Sequence, residues 1–93
     1  MSRLILSPDA QADIKAAVRW YRREGSDLGF RFKYETRLIL DRIAKYPFAF
    51  PLVDDGIRRA LLKRFPYSIY FIVKRQTVVV LAVLHQHSKT FDN

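Results

Sequence analysis

Cysteine is absent from this 93-residue chain, which removes disulfides, thiolate nucleophiles and zinc–thiolate centres and suits a reducing compartment. Histidine is nearly absent, with His85 and His87 alone. Two apart on a strand, their rings would point the same way and could begin a metal site. Asp92 is the only carboxylate near them in sequence, so no metal is expected. Glycine is scarce: Gly25, Gly29 and Gly56 stand apart, and none builds a phosphate-cradling loop. No serine has the strand–turn–helix setting of a nucleophile elbow. No apolar run approaches the roughly 20 residues that span a bilayer, and the opening Met1–Pro8 stretch lacks the apolar length of a signal peptide. The expectation is a soluble, cytoplasmic protein without a cofactor, forming a single domain over residues 1–93 near the lower size limit for a self-sufficient core.

Acid is the other absence, and it is local. No Asp or Glu occurs from Ile57 to Thr90, a window holding Arg58, Arg59, Lys63, Arg64, Lys74, Arg75 and Lys89. It also excludes the paired carboxylates of glycosidases from that half. The chain carries a net charge of +8, and a field this one-sided recruits a polyanion or an acidic protein partner. The first half mixes both signs and reads as solvated helices.

Periodicity sets the elements. Arg3 to Leu6 is a short apolar run suited to a strand. Ser7-Pro8-Asp9 then opens a helix with a capping hydroxyl, a first-turn proline and an acid at the positive end of the dipole. Ala10, Ile14, Ala17, Val18 and Tyr21 recur at helical spacing. Glu24-Gly25-Ser26-Asp27 is expected to end this helix and cap a second, whose stripe is Leu28, Phe32, Ile39, Ile43 and Tyr46. So short a joint makes the pair an antiparallel hairpin. Pro47 to Pro51 reads as a loop, followed by the turn Asp54-Asp55-Gly56. From Ile57 the period becomes strand-like: Ile57–Phe65, Tyr67–Lys74 and Thr77–His85, joined tightly enough to form an antiparallel meander. The fold class is α+β: an N-terminal strand and an antiparallel helical hairpin packed on a small twisted antiparallel β-sheet, with the other sheet face open and basic.

One catalytic chemistry survives these exclusions, the metal-free cleavage of RNA by its own 2′-hydroxyl. It needs a base, an acid and cations to stabilise the phosphorane. His85 and His87 are of the residue type that serves as acid or base near neutral pH. Arg58, Arg59, Lys63 and Arg64 offer cations, and Phe91 or Tyr70 a stacking ring. The plainer reading is packing. A histidine closing a buried strand is usually structural, and Tyr67, Tyr70 and Phe71 alternate as a half-buried strand does.

Ser7-Pro8-Asp9-Ala10 with Asp13-Ile14, Trp20-Tyr21, Leu28-Gly29-Phe30-Arg31-Phe32 and Ile43-Ala44-Lys45-Tyr46-Pro47 are followed in order by Arg58-Arg59, Phe65-Pro66-Tyr67-Ser68-Ile69-Tyr70-Phe71 and Val80-Leu81-Ala82-Val83-Leu84-His85. In order and spacing this string resembles the RelE/ParE superfamily of bacterial type II toxins, especially its ParE-like plasmid stabilisation group. The resemblance implies the fold given above and a toxin held inactive in a hetero-oligomer by a cognate antitoxin, whose flexible acidic segment wraps it. ParE-like members arrest growth by poisoning DNA gyrase. On that branch Arg58, Arg59, Lys63, Arg64, Lys89 and Phe91 would form target- or antitoxin-binding surface. RelE-like members instead cut messenger RNA on the ribosome, and there Arg59, Lys63, His85 and His87 would be the catalytic set. A degenerate, non-toxic antitoxin-binding module is a third possibility. After His85 the ParE-like group commonly carries Arg-Arg-Asp-Pro and a terminal tryptophan, where this chain has His87-Ser88-Lys89-Thr90-Phe91.

Overall fold

The computed structural model describes residues 2–86. Strand β1 (Arg3–Leu6) leads into helix α1 (Pro8–Glu24), capped by Ser7, whose Oγ accepts the Ala10 N–H at 3.0 Å. Helix α1 closes with Gly25 N–H donating to the Tyr21 carbonyl, and helix α2 (Ser26–Lys45) begins at once. The expected side-chain cap on α2 is not made. Gly25 is itself the N-cap residue, so Ser26 and Asp27 fall inside the first turn. Gly29 allows the tight crossing that follows. A Cβ there would lie 3.1 Å from the Val18 carbonyl oxygen and 3.2 Å from Arg22 Cβ. Of the predicted α2 stripe, Phe32, Ile39 and Ile43 are buried and Leu28 is half-buried, whereas Tyr46 is exposed at the C-cap.

A short 3-10 turn (Pro47–Ala49) follows, then β2 (Leu52–Asp54), β3 (Ile57–Leu61), β4 (Tyr67–Lys74) and β5 (Thr77–His85). Gly56 turns the chain between β2 and β3 at φ 69°, the left-handed region that glycine enters without strain. The sheet order is β1-β5-β4-β3-β2. It is mixed rather than wholly antiparallel, because β1 pairs parallel with β5. Tight hairpins force the antiparallel pairs, whereas a connection through two helices leaves the direction of β1 free.

The sheet packs one face on the helical hairpin. Tyr67, Ile69, Phe71 and Val73 of β4 share that face with Val83, Val80 and Val78 of β5. Phe32 anchors it from α2, with its ring edge-on to Phe65 and Tyr67 at 5.2 and 5.0 Å. The register slips once, from Tyr70↔Ala82 to Phe71↔Val80, leaving Leu81 as the extra residue of a bulge. The start of α1 satisfies the backbone groups that the bulge frees. Ser7 Oγ donates to the Leu81 carbonyl at 3.0 Å, and Asp13 Oδ2 accepts the Val83 N–H at 2.9 Å.

The opposite face departs from the basic surface expected. Alternation from Arg59↔Tyr70↔Ala82 places Arg59, Leu61, Ser68, Tyr70, Ile72, Lys74, Val79 and Leu84 there, with Arg3 beside Thr77, so cations mark its margins while aliphatic and aromatic residues make up most of it. Arg58 turns to the helix side, where it donates to the Phe50 carbonyl at 2.6 Å and lies over the Phe48 ring. A strand-borne basic run alternates between faces, so adjacent arginines cannot both serve one surface.

Candidate binding surface

The loop between β3 and β4 puts Lys63 and Arg64 beside α2. Its backbone is held from the helix: both the Lys63 and Arg64 N–H groups donate to Glu35 Oε2, the second at 3.1 Å. Consecutive amides converging on one oxygen form a small anion-accepting concavity, and here a carboxylate of the same chain fills it. At the loop's other end Tyr67 N–H donates to the Phe65 carbonyl at 2.7 Å. The two basic side chains are therefore displayed from a tethered backbone.

Between loop and helix runs a groove of about 650 Å³, whose apolar lining is Leu28, Phe30, Tyr34, Leu38 and Phe65. Phe30 is 71% and Tyr34 59% exposed. Phe30, Tyr34 and Leu38 repeat every four residues on the side of α2 away from the core stripe, so they form a second apolar face. Arg31 lies on the rim and pairs with Asp27 at 3.3 Å, an exposed pair of little energetic weight. Rings and leucines walled by cations suit an acidic, amphipathic protein segment.

The other residues singled out by sequence do not gather here. Arg59 faces the apolar side of the sheet and its N–H pairs with the Pro51 carbonyl. Exposed His85 ends β5 on the helix side, its ring edge-on to Tyr67 at 5.3 Å. Arg59 and His85 are thus on opposite faces, and Lys63 is on a third surface beside α2. His87, Lys89 and Phe91 lie outside the described residues. Among the described residues there is no group of three His, Cys, Asp or Glu able to hold a metal ion, and no helix long and apolar enough to cross a membrane.

Tyr67 and Tyr21 meet edge-on behind His85. Burial pushes the Tyr67 hydroxyl above its ordinary value of 10.0, and the Asp13 carboxylate adds to the shift. Tyr21 is raised in the same way, by burial first and then by Tyr67. Sequence reasoning missed Glu35, Phe30, Tyr34 and Leu38. The signal for the last three was present, as large apolar residues at four-residue spacing out of phase with the core.

No curated protein matches the chain. Among solved structures it is similar to a chain from the chromosomal ParDE TA system of P. aeruginosa, at 21% identity and a TM-score of 0.81, covering 91% of this chain and 96% of that one. At that identity the likeness speaks for the fold. The model of the family described as ParE toxin of type II toxin-antitoxin system, parDE, matches residues 4–89. With nearly the whole chain inside that match, the protein belongs to the ParE toxin family.

Proposed function

We propose that this ParE-family chain arrests growth by binding DNA gyrase rather than by catalysis of its own, and that a cognate antitoxin neutralises it. The observation that carries the reading is the separation of Arg59 from His85 across the sheet. General acid–base cleavage needs its proton-transfer groups and its phosphate cations within hydrogen-bonding reach of one scissile bond. The described residues offer instead a tethered basic loop over an exposed aromatic stripe, which is the make-up of a protein-binding surface. The antitoxin partner is supported by family membership and by the ParDE system of the structural neighbour.

The test is induced expression without antitoxin, following messenger RNA integrity and DNA double-strand breaks in the same cultures. Growth arrest with broken DNA and intact RNA is expected. Arrest with codon-positioned RNA cuts and intact DNA would overturn the gyrase reading and move Arg59, Lys63, His85 and His87 to a catalytic role. Absence of arrest would mark a non-toxic, antitoxin-binding module.

A further inference from the structure

The sheet face turned away from the helices is closed at its centre. Ser68 and Tyr70 there are 2% and 3% exposed. Tyr70 nevertheless stands outside the contiguous core that the helices form with the sheet. Among the described residues, both helices pack on the other face, and so do Phe50 against Phe71 and Arg58 over Phe48. Two rows of side chains cross this face. Leu61, Ser68 and Leu84 form one, with the small serine set between two leucines as a notch. Leu61 keeps 51% exposure at its margin. Arg59, Tyr70 and Ala82 form the other, two residues further along β4. The notch is apolar and ends at a cation.

We propose that this face is the docking site of the chain's own residues 87–93, with Phe91 seated over Ser68 and Tyr70 and Asp92 directed at Arg59. The described chain ends beside the notch: Gln86 N–H donates to the Pro66 carbonyl at 2.7 Å, one residue past the pairing of His85 with Tyr67. Tyr70 lies four residues along the chain from Pro66, roughly 14 Å. Phe91 follows Gln86 by five residues, an extended reach of roughly 17 Å, and Asp92 reaches one residue further. The chemistry of the segment matches the notch. Phe91 is the one large apolar side chain after His85, and Asp92 is the first carboxylate after Asp55. On the helix side the same reach meets Tyr67, Tyr21, Phe65 and Phe32, whose rings already pack against one another. It also meets the Asp13 carboxylate, which repels Asp92. A second copy of this chain fits the face less well, because it brings the same +8 charge. Docking in cis covers the sheet on both faces and turns Phe91 inward, away from the binding surface that sequence gave it. None of this depends on the toxin reading, which the expression assay decides separately.

The test is NMR of the full, isotope-labelled chain, read as nuclear Overhauser contacts from the Phe91 ring. Expected are contacts with the Leu61 and Leu84 methyls and the Tyr70 ring, unchanged on dilution. A sample mixing labelled and unlabelled chains should show no such contact between molecules. Phe91→Ser, checked for native circular dichroism, should shift the Leu61 and Leu84 methyl resonances and leave those of Ile14 and Val18 on α1 in place. Asp92→Asn and Arg59→Gln should each weaken the Phe91 contacts, and the two together should weaken them no more than either alone. Ser88→Ala should keep them all. Contacts from Phe91 to Tyr21 or Tyr67, contacts only between molecules, or no contact at all would each overturn the proposal. Contacts indifferent to both charge substitutions overturn the pairing of Asp92 with Arg59. If Phe91→Ser does not fold, the contacts of the parent chain decide alone.

Discussion

Removing the Asp13 carboxylate should unfasten the bulge in β5. Asp13 Oδ2 accepts the Val83 N–H at 2.9 Å across the helix–sheet interface, where the ladder slips at Leu81. A hydrogen bond to a charged group contributes about 1.5–3 kcal/mol, and an amide left without a partner loses its solvation as well. Asp13 is half-buried, so water recovers part of that loss in Asp13→Ala, and about 2 kcal/mol is expected. For a domain of this size that corresponds to a fall in Tm of about 8–16 °C. Asp13→Asn keeps an acceptor and should lose less than half as much. Ser7→Ala removes both the α1 cap and the bond to the Leu81 carbonyl, each worth about 1 kcal/mol. Because both side chains serve one bulge, the double variant should lose less than the sum of the singles. Urea unfolding followed by circular dichroism measures each change from the midpoint at unchanged slope. Amide exchange at Val83 reports the local opening. Asp13→Ala within about 0.5 kcal/mol of the parent, the range of an ordinary surface change, would refute the clamp.

Other substitutions probe the same framework. Thr36 is buried, and its Oγ1 has no hydrogen-bond partner among the described residues, so Thr36→Val should be neutral or stabilise by up to about 1 kcal/mol; a comparable loss in thermal unfolding would mean the hydroxyl is satisfied. Glu35→Ala frees the Lys63 and Arg64 amides at an exposed site, and should cost about 1 kcal/mol or less while accelerating exchange of those two amides; unchanged exchange would show that the loop holds itself. Tyr67 and Tyr21 are raised above 10.0 in the folded protein, so the unfolded chain gives up these protons first. Their contribution is complete below pH 10.0 and is lost as the pH rises through the folded values. Asp13→Asn should move the Tyr67 titration, read from tyrosinate absorbance, back toward 10.0, and an unmoved curve would leave burial as its sole cause.

Much of this architecture is legible in the chain because period and punctuation agree. The 3.6-residue stripes of Ala10–Tyr21 and Phe32–Ile43 end at Gly25 and Pro47, and alternation takes over at Ile57. Strand β2 was hidden because its three residues sit between Pro51 and Gly56, too few to show any period. The direction of β1 was hidden because local sequence sets the sense of a pairing only where a tight turn joins the strands. At the candidate surface, Lys63 and Arg64 were found by charge. Their tether to Glu35 was not, since it joins residues 28 and 29 positions apart. The segregation of acid from the second half suggested a basic sheet. Strand alternation and the departure of the β3–β4 loop toward α2 instead distributed those cations over three surfaces.

The parallel pairing of β1 with β5 bears on how the chain acquires its structure during synthesis. Ser7, at the close of β1, meets Leu81 across 74 positions of sequence. Strand β1, made well before β5, therefore waits for that strand before it has a partner among the described residues. Until then the helical hairpin has only the β2–β4 part of the sheet to cover, and Phe32 can meet Phe65 and Tyr67 but Val78, Val80 and Val83 of the core are missing. Contacts of such separation close late and slowly. A nascent or prematurely released chain that lacks β5 thus leaves β1 unpaired and Ser7 and Asp13 without the Leu81 and Val83 groups they hold, and the five-stranded sheet closes only when translation has passed β5.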